Sequence, residues 1–228
     1  MVDEASLEVI IERVQNQLHD IDLFRENTVR FFETHPNLTQ SPQIVHSVRS
    51  RMKDLQHLRE KIQRKFSTRD PITPENIFDR ITDIAGVRVL HLYQAQFTHI
   101  HRAINQKLDS QDWILYEDPK AYTWDPESHG FFENQGLNVE VKESLYTSVH
   151  YVIKPREDSP VSCEIQVRTL LEEVWGEIDH LVNYPEPTDN VACREQIGVL
   201  ARLVSAGSRL ADSICRVYAG EESERTSD

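Results

Sequence analysis

The sequence predicts a mixed β-sheet of about five strands flanked by helices, of the α+β or α/β class. Apolar residues recur every three or four positions over residues 4–34 and 190–218, which is typical of amphipathic helices. Between these stretches, short runs rich in β-branched residues alternate with further helical patterns. The 228 residues therefore fit one domain with helical extensions.

The elements between the terminal helices follow from the local patterns. Apolar and polar residues alternate in the predicted strands, which cover residues 43–53, 81–90, 113–116, 146–153 and 163–168. Asp54 can cap a helix, and two more helices are predicted at 95–108 and 170–182. Residues 109–140 mix aromatic side chains with Asp, Pro and Gly, so a loop is expected beyond the strand at 113–116.

The same patterns divide the chain into three segments. We predict an N-terminal helical extension over residues 1–42 and a central domain over residues 43–187. A C-terminal helix with a charged tail is predicted over residues 188–228.

Composition excludes some classes of function. Lys and Arg number 25 against 38 Asp and Glu, which gives a net charge of −13. Broad binding to nucleic acid or to an anionic membrane needs a positive surface and is disfavoured, although a local basic pocket is compatible with this charge. The three cysteines show no metal-binding spacing and are expected to be buried thiols. Without a signal peptide or a run of ~20 apolar residues, we predict a cytoplasmic protein with no membrane partner.

Polar residues lie on alternate positions of several predicted strands. Tyr146, Ser148 and His150 share one face of their strand, and Glu164 and Gln166 share one face of theirs. A solvated strand face has the same pattern, so one such face alone indicates little. Here the faces carry complementary charges: carboxylates from Asp83 and Glu164, and cations from Arg51, Lys53, Lys61, Arg88 and Lys142.

Phosphoryl or pyrophosphoryl transfer requires this combination of charges. Two carboxylates can hold Mg²⁺ against phosphate oxygens, and fixed cations balance the negative charge that develops during transfer. The chain has no glycine-rich loop of the Walker type, so side chains would have to bind the phosphates. These residues indicate a candidate nucleotide site.

Four motifs, spread over about residues 44–184, make this indication more specific. The first is Arg51-Met52-Lys53 with His57 and Lys61 at four-residue steps. The second is Asp83-Ile84-Ala85-Gly86-Val87-Arg88. The third is Lys142, Tyr146, Ser148 and His150 in one register, and the fourth is Glu164-Ile165-Gln166-Val167-Arg168-Thr169 followed by Trp175 and His180.

In this order the motifs resemble the synthetase domain of RelA/SpoT proteins and small alarmone synthetases. The second motif fits the family pattern fully, and His57 stands where a serine is usual. In the third motif Ser144 and Leu145 replace the Asn-Gly of the family. The resemblance implies an α+β, nucleotidyltransferase-like synthetase domain, which we assign to residues 43–187.

The resemblance also implies a role for each matching residue. The phosphates of ATP would contact Arg51, Lys53 and Lys61, and Arg88 and Arg64 would lie against its adenine or phosphates. Asp83 and Glu164 would bind Mg²⁺ and form the catalytic pair, with Glu164 as the base for the attacking hydroxyl. On the acceptor side, Tyr146 would stack on the base and Lys142 would meet the phosphates. His150 and Gln166 would line the acceptor pocket.

The implied activity is transfer of the β,γ-pyrophosphate of ATP to the ribose 3′-hydroxyl of GDP or GTP, giving (p)ppGpp. The segment before Arg51 is too short for the hydrolase domain of long family members, so we expect a stand-alone synthetase. Leu145 puts a bulky side chain beside Tyr146, so the sequence supports the ATP donor better than the guanine acceptor.

Three alternatives remain open. One is a toxin-type relative, partnered by an antitoxin, that pyrophosphorylates the 3′ end of tRNA. Another is a non-catalytic nucleotide-binding regulator, and the third is a nucleotidyltransferase with different chemistry. The terminal helices are apolar enough to pack on the domain or to form a homo-oligomer.

Overall fold

A six-stranded mixed sheet with helices on both sides forms the centre of the described chain. This computed structural model describes residues 4–66, 71–184 and 186–225. The helices are α1 (Glu4–Gln15), α2 (Leu18–Thr34), α3 (Pro36–Thr39), α4 (Leu55–Phe66), α5 (Ile77–Arg80), α6 (Phe97–Asp109), α7 (Pro126–Asn134), α8 (Leu170–Asn183) and α9 (Val191–Arg225). The strands are β1 (Ser47–Met52), β2 (Ala85–His91), β3 (Ile114–Thr123), β4 (Asn138–Val141), β5 (Ser148–Lys154) and β6 (Cys163–Thr169).

The strands lie in the order β1-β2-β6-β5-β3-β4. The β2–β6 and β3–β4 pairs are parallel, and the β1–β2, β6–β5 and β5–β3 pairs are antiparallel. The predicted α+β class with a mixed sheet is confirmed. Within the described residues the sheet has six strands, where about five were expected.

The two faces of the sheet differ in chemistry because side chains alternate along each strand. One face is apolar and fully buried, with Val87 and Val89 of β2 beside Ile165 and Val167 of β6. Apolar residues of α1, α2 and α6 complete this core. The opposite face carries the polar side chains of the four adjacent strands β1, β2, β6 and β5.

The structure corrects the expectation for residues 109–140. The strand at 113–116 extends through Thr123, and the predicted loop contains α7 and β4. The pairing of β3 with β5 shifts register between Leu115 and Glu117 and again between Glu117 and Lys120. These irregularities accommodate Pro119, which cannot donate a ladder hydrogen bond, and they interrupt the two-residue alternation by which a strand is recognised.

Three predicted strands begin two or more residues later than expected. β1 begins at Ser47 rather than at residue 43. β2 begins at Ala85, so Asp83 lies just before the strand, and β5 begins at Ser148, so Tyr146 lies in the preceding loop. The N-terminal helical stretch is divided after Gln15 into α1 and α2.

The C-terminal helix α9 is attached to the domain along much of its length. The indole Nε1 of Trp175 donates to the carbonyl of Ile197 at 3.1 Å, and Asp125 accepts from Arg209 Nη1 at 2.5 Å. Further along, the backbone N–H of Ala95, just before α6, donates to the carboxylate of Asp212 at 3.0 Å. The predicted segment boundaries stay a prediction, and residues 1–3 and 226–228 of the terminal segments lie outside the described residues.

Leu145 has a left-handed backbone, with φ of 63°, in the loop before β5. This conformation is costly for a branched side chain. The Leu145 side chain packs against a small cluster formed by Trp175 and residues of α9, and its Cδ1 lies close to Gly198. The contact with α9 therefore offsets the unfavourable backbone at the position where the family has glycine.

The cysteines are free, and the expectation of buried thiols holds for Cys163 alone. Cys193 and Cys215 on α9 are partly exposed. No helix within the described residues is long and apolar enough to span a membrane.

We predict that Leu145→Gly is more stable than Leu145→Ala by about 1 kcal/mol. Both variants lose the packing against α9, but only glycine adopts the left-handed backbone without cost. Urea unfolding of the two variants and the wild type measures the difference. A less stable glycine variant would contradict the backbone strain assigned to Leu145.

His91 is fully buried at the end of β2, and its Nδ1–H donates to the carbonyl of Tyr93 at 3.0 Å. Burial lowers the pKa of His91 to about 4 from its ordinary 6.5, so the folded protein holds the ring neutral. The unfolded chain binds a proton below pH 6.5, and stability is therefore lost as the pH falls from 6.5 toward 4.

We expect His91 to account for about 3 kcal/mol of the stability lost between pH 7 and pH 4. In His91→Asn, which keeps an amide donor near the Nδ1 position, the free energy of unfolding should fall by that much less over this range. Denaturant unfolding at several pH values is the measurement. Equal pH dependence in the two proteins would mean that His91 is not buried neutral.

Candidate nucleotide site

A cavity of about 910 Å³ lies over the polar face of the sheet, between α4 and α8. All of the predicted site residues line it except Lys142 and His150. Strand register explains this grouping: Arg51, Gly86 and Glu164 are paired neighbours across β1, β2 and β6. The next polar row, two residues along, holds Arg88 and Gln166.

Asp83 is clamped by two lysines at one end of the cavity. Its Oδ2 accepts from Lys53 Nζ at 2.5 Å and its Oδ1 from Lys61 Nζ at 2.8 Å. Lys53 is held by a backbone hydrogen bond to Ile84, and Lys61 lies two turns into α4, whose first turn is capped by the Asp54 carboxylate. Lys61 from α4 and Lys53 from the end of β1 therefore both bind the Asp83 carboxylate.

This arrangement changes the charge states of the cluster. Burial would raise the pKa of Asp83, but the charges and hydrogen bonds of Lys53 and Lys61 outweigh it and lower the pKa to about 2. Burial also lowers the pKa of Lys53 to about 8, against the opposing effect of Asp83. At neutral pH Asp83 is therefore a carboxylate, and it lies between two lysines that also face the cavity.

Glu164 is the acceptor in a second polar network. His150 Nδ1–H donates to Glu164 Oε1 at 3.0 Å, and Gln166 Nε2 donates to Oε2 at 2.8 Å. The hydroxyl of Tyr146 lies 3.0 Å from His150 Nε2 and links the two side chains. Burial would raise the pKa of Glu164, but the combined effects of His150 and Gln166 outweigh it and hold the pKa below its usual value. Glu164 is therefore ionised and fixed in orientation.

The two carboxylates are suited to a hard divalent cation. Asp83 and Glu164 line the same cavity, and the charge of Asp83 raises the pKa of Glu164, so they interact electrostatically. No group of three His, Cys, Asp or Glu side chains that could hold a metal is found in the described part of the chain. Two carboxylates on one cavity fit Mg²⁺, which takes its remaining ligands from phosphates and water.

The opposite wall of the cavity carries arginines that the sequence motifs only partly identified. Arg88 Nη1 donates to Glu173 Oε1 at 3.1 Å and to Glu177 Oε1 at 2.6 Å, both on α8. Arg168 forms a buried ion pair with Glu173, and its guanidinium carbon lies 5.7 Å from the ring centroid of Tyr146. Arg168 belongs to the fourth sequence motif but was given no role in the site, and its position in the cavity lining was not predicted.

Lys142 and His150 lie away from the cavity lining. Lys142 Nζ is 3.3 Å from Glu140 and 4.2 Å from the ring centroid of Tyr122. His150 lies behind Tyr146 and Glu164, bonded to both. Direct contact of these two residues with an acceptor nucleotide stays a prediction.

Tyr146 lines the cavity but is also packed from behind. It joins Leu145 against the cluster of Trp175 and the α9 residues Ile197, Ala201 and Val204. Aromatic side chains also occupy the rim, where His180 and Tyr184 stack with ring centroids 4.5 Å apart. Neither position of this rim pair was predicted to face the cavity.

Comparison with known proteins identifies the family and the fold. A family model described as the region found in RelA / SpoT proteins matches residues 50–189. The GTP pyrophosphokinase YwaC of Bacillus subtilis (strain 168) is 26% identical over 148 residues, which cover 65% of this chain and 62% of that relative. The alignment thus spans less than two thirds of that relative's length.

Solved structures share the fold. A GTP pyrophosphokinase family protein from Streptococcus pneumoniae superimposes with a TM-score of 0.64 and 19% identity, covering 89% of this chain and 91% of that one. The small alarmone synthetase 1 of Bacillus subtilis, bound to its product pppGpp, gives a TM-score of 0.61 and 20% identity, covering 91% and 95%.

The matched region spans all four motifs and more than half of the chain, which confirms the resemblance predicted from those motifs. The protein belongs to the family defined by the region found in RelA / SpoT proteins.

Proposed function

We propose that the protein is an ATP-dependent pyrophosphokinase that transfers the β,γ-pyrophosphate of ATP to the ribose 3′-hydroxyl of GDP or GTP. The observation that carries this proposal is the pair of ionised carboxylates, Asp83 and Glu164, that face one cation-lined cavity. Relatives named as a GTP pyrophosphokinase and as small alarmone synthetases support it.

The phosphates of the donor nucleotide would lie along the wall formed by β1 and α4, and its adenine or phosphates would also contact Arg88 of the opposite wall. Lys53 and Lys61 are fixed by Asp83, and Arg51 and Arg64 line the same wall. Fixed cations at this wall can bind the triphosphate and balance the charge that develops during transfer. Mg²⁺ held by Asp83 and Glu164 would supply further charge neutralisation at the phosphates.

Glu164 is the candidate base. The attacking 3′-oxygen would form a bond to the β-phosphorus of ATP while the bond from that phosphorus to the α-phosphate oxygen breaks and AMP leaves. The proton of the 3′-hydroxyl would pass to a Glu164 oxygen. His150 and Gln166 hold this carboxylate with one hydrogen bond each, which fixes its position for the transfer.

The acceptor side of the site departs further from the family pattern than the donor side does. The acceptor base would contact Tyr146, which lines the cavity beside Arg168. Lys142 could reach an acceptor phosphate by leaving its contacts with Glu140 and Tyr122, both of which are partly solvated. A tRNA acceptor would need a positive approach to the cavity, which the net charge of −13 does not favour.

We further propose that the protein is cytoplasmic and that it self-associates through α9. Large aliphatic side chains on the outer side of α9 are exposed, among them Leu203 (64%), Leu210 (62%) and Ile214 (60%). An exposed apolar surface of this kind is typical of an interface and supports a homo-oligomer.

The direct test is incubation with Mg²⁺ and ATP labelled with ³²P at the γ position, with GDP, GTP, ATP or bulk tRNA offered separately. Label on GDP or GTP would support the proposed activity. Label on tRNA alone would keep the chemistry and identify the toxin-type relative. Binding of ATP without any transfer would leave the regulator as the remaining alternative.

We predict that Glu164→Gln and Asp83→Asn each lower the transfer rate at least ~10²-fold, the usual scale for losing a base or a metal ligand. Both substitutions keep the shape of the side chain and remove its charge. Initial rates with labelled ATP measure the loss.

Two exposed pairs on the same chain provide matched controls. Asp112 pairs with Lys107 at 2.8 Å, as Asp83 pairs with Lys61, and Glu133 lies 3.3 Å from His129. Asp112→Asn and Glu133→Gln should therefore keep wild-type rates. Near-normal activity in Glu164→Gln would show that the base is assigned to the wrong residue.

A further inference from the structure

One buried carboxylate gathers three arginines behind the wall of the cavity. The Glu173 side chain is 3% exposed, and its Oε1 lies 3.1 Å from Arg88 Nη1 and 3.7 Å from Arg49 Nη1. Its Oε2 forms the buried ion pair with Arg168 Nη2. The three arginines line the cavity, whereas Glu173 is not among the lining residues.

Strand register and a helix cap bring these residues together. Arg49 is paired with Arg88 across β1 and β2, and Arg168 lies on β6 two residues beyond the partner of Arg88. Thr169 then caps α8 with a reciprocal hydrogen-bond pair, which starts the helix directly after β6. The first turn of α8 therefore places Glu173 over the arginines of the sheet.

The charges explain why such a residue is required. Three guanidinium groups on neighbouring strands repel one another, and a shared carboxylate offsets that repulsion and fixes where each group points. A second carboxylate, Glu177, contacts only Arg88 and is 54% exposed, so solvent screens its effect. Glu173 is buried and touches all three arginines, so its influence is much larger.

We propose that Glu173 is a positioning residue for nucleotide binding: it holds the guanidinium groups of Arg88 and Arg168 in the orientation that receives the substrate. This inference rests on the proposed function, because it assigns the arginine wall to the same nucleotide site. Glu173 acts from behind the wall and touches no substrate itself.

Gly176, about one turn after Glu173 on α8, supports the same assignment. A Cβ added at Gly176 would lie 2.7 Å from Arg168 Nη1, closer than side chains tolerate. The glycine thus leaves room for the Arg168 guanidinium beside Tyr146. Alanine there would favour the helix but displace the guanidinium.

The test is the affinity for adenosine 5′-(α,β-methylene)triphosphate, in which a methylene replaces the oxygen that transfer would cleave. In Glu173→Gln we expect its dissociation constant to rise at least about tenfold, the scale of one lost charge-assisted hydrogen bond. The KM for ATP should rise in parallel while kcat changes less than about threefold, since uniform binding is what is lost.

A matched control is Glu8→Gln, which removes an exposed carboxylate bonded to Arg59 at 2.6 and 2.9 Å, away from the cavity. It should leave both affinity and turnover unchanged. Thermal unfolding of each variant separates loss of fold from loss of binding. Wild-type affinity in a folded Glu173→Gln protein would overturn the proposal, and so would a loss confined to kcat.

If Glu173→Gln does not fold, Gly176→Ala tests whether the orientation of the Arg168 guanidinium controls nucleotide binding. It moves the Arg168 guanidinium without removing a charge, and we expect it to weaken analogue binding by about threefold or more. Unchanged binding in a folded Gly176→Ala protein would count against the positioning role. Because the analogue measures equilibrium binding, these results are independent of whether the wild type transfers pyrophosphate to GDP, GTP or tRNA.

A double-substitution cycle with Arg88→Gln tests the route of the effect. If Glu173 acts through Arg88, Glu173→Gln should cost much less affinity in the Arg88→Gln background than in the wild type. Equal costs in both backgrounds would exclude Arg88 as the intermediary.

Discussion

The parallel pairing of β2 with β6, extended by β1, is the constraint on which the site depends. This register sets Arg51, Gly86 and Glu164 in one row and Arg88 and Gln166 in the next. Because side chains alternate along every strand, the same pairing buries Val87, Val89, Ile165 and Val167 on the other face. A one-residue slip of any strand would exchange core and site, so stability of the core and geometry of the cavity are fixed together.

Charge is organised around two carboxylates on opposite walls. Asp83 holds two lysines next to α4, and Glu173 holds arginines under α8. Each carboxylate offsets the repulsion between neighbouring cations, so that several cations can face one cavity. They do so although the net charge of the protein is −13. Phosphate groups entering between the walls would find donors already oriented, which reduces the cost of rearrangement on binding.

The acceptor side is held by contacts with the C-terminal helix α9 rather than by a carboxylate that gathers cations. Leu145 and Tyr146 pack against α9, and the Tyr146 hydroxyl is linked through His150 to Glu164. The C-terminal helix therefore contacts the loop that would receive the acceptor. Leucine in place of glycine at position 145 is explained by this contact, since its side chain is part of the attachment of α9.

The sequence determined which strand residues share a face, because alternation along a strand is a local property. It set Glu164 and Gln166 on the face opposite the apolar core, whereas Asp83 and Lys61, which lie outside the strands, were indicated by the motifs alone. It did not reveal the strand through Thr123, where the bulges around Pro119 remove the alternation.

Only the tertiary structure decided what covers the polar face. Arg88 and Glu173 are 85 residues apart, and no periodicity links them. The same holds for α9 over Tyr146, and for Lys142, which the sequence placed at the acceptor and the structure places beside Tyr122. Local patterns fix the face on which a side chain lies, whereas its partner depends on how distant elements pack.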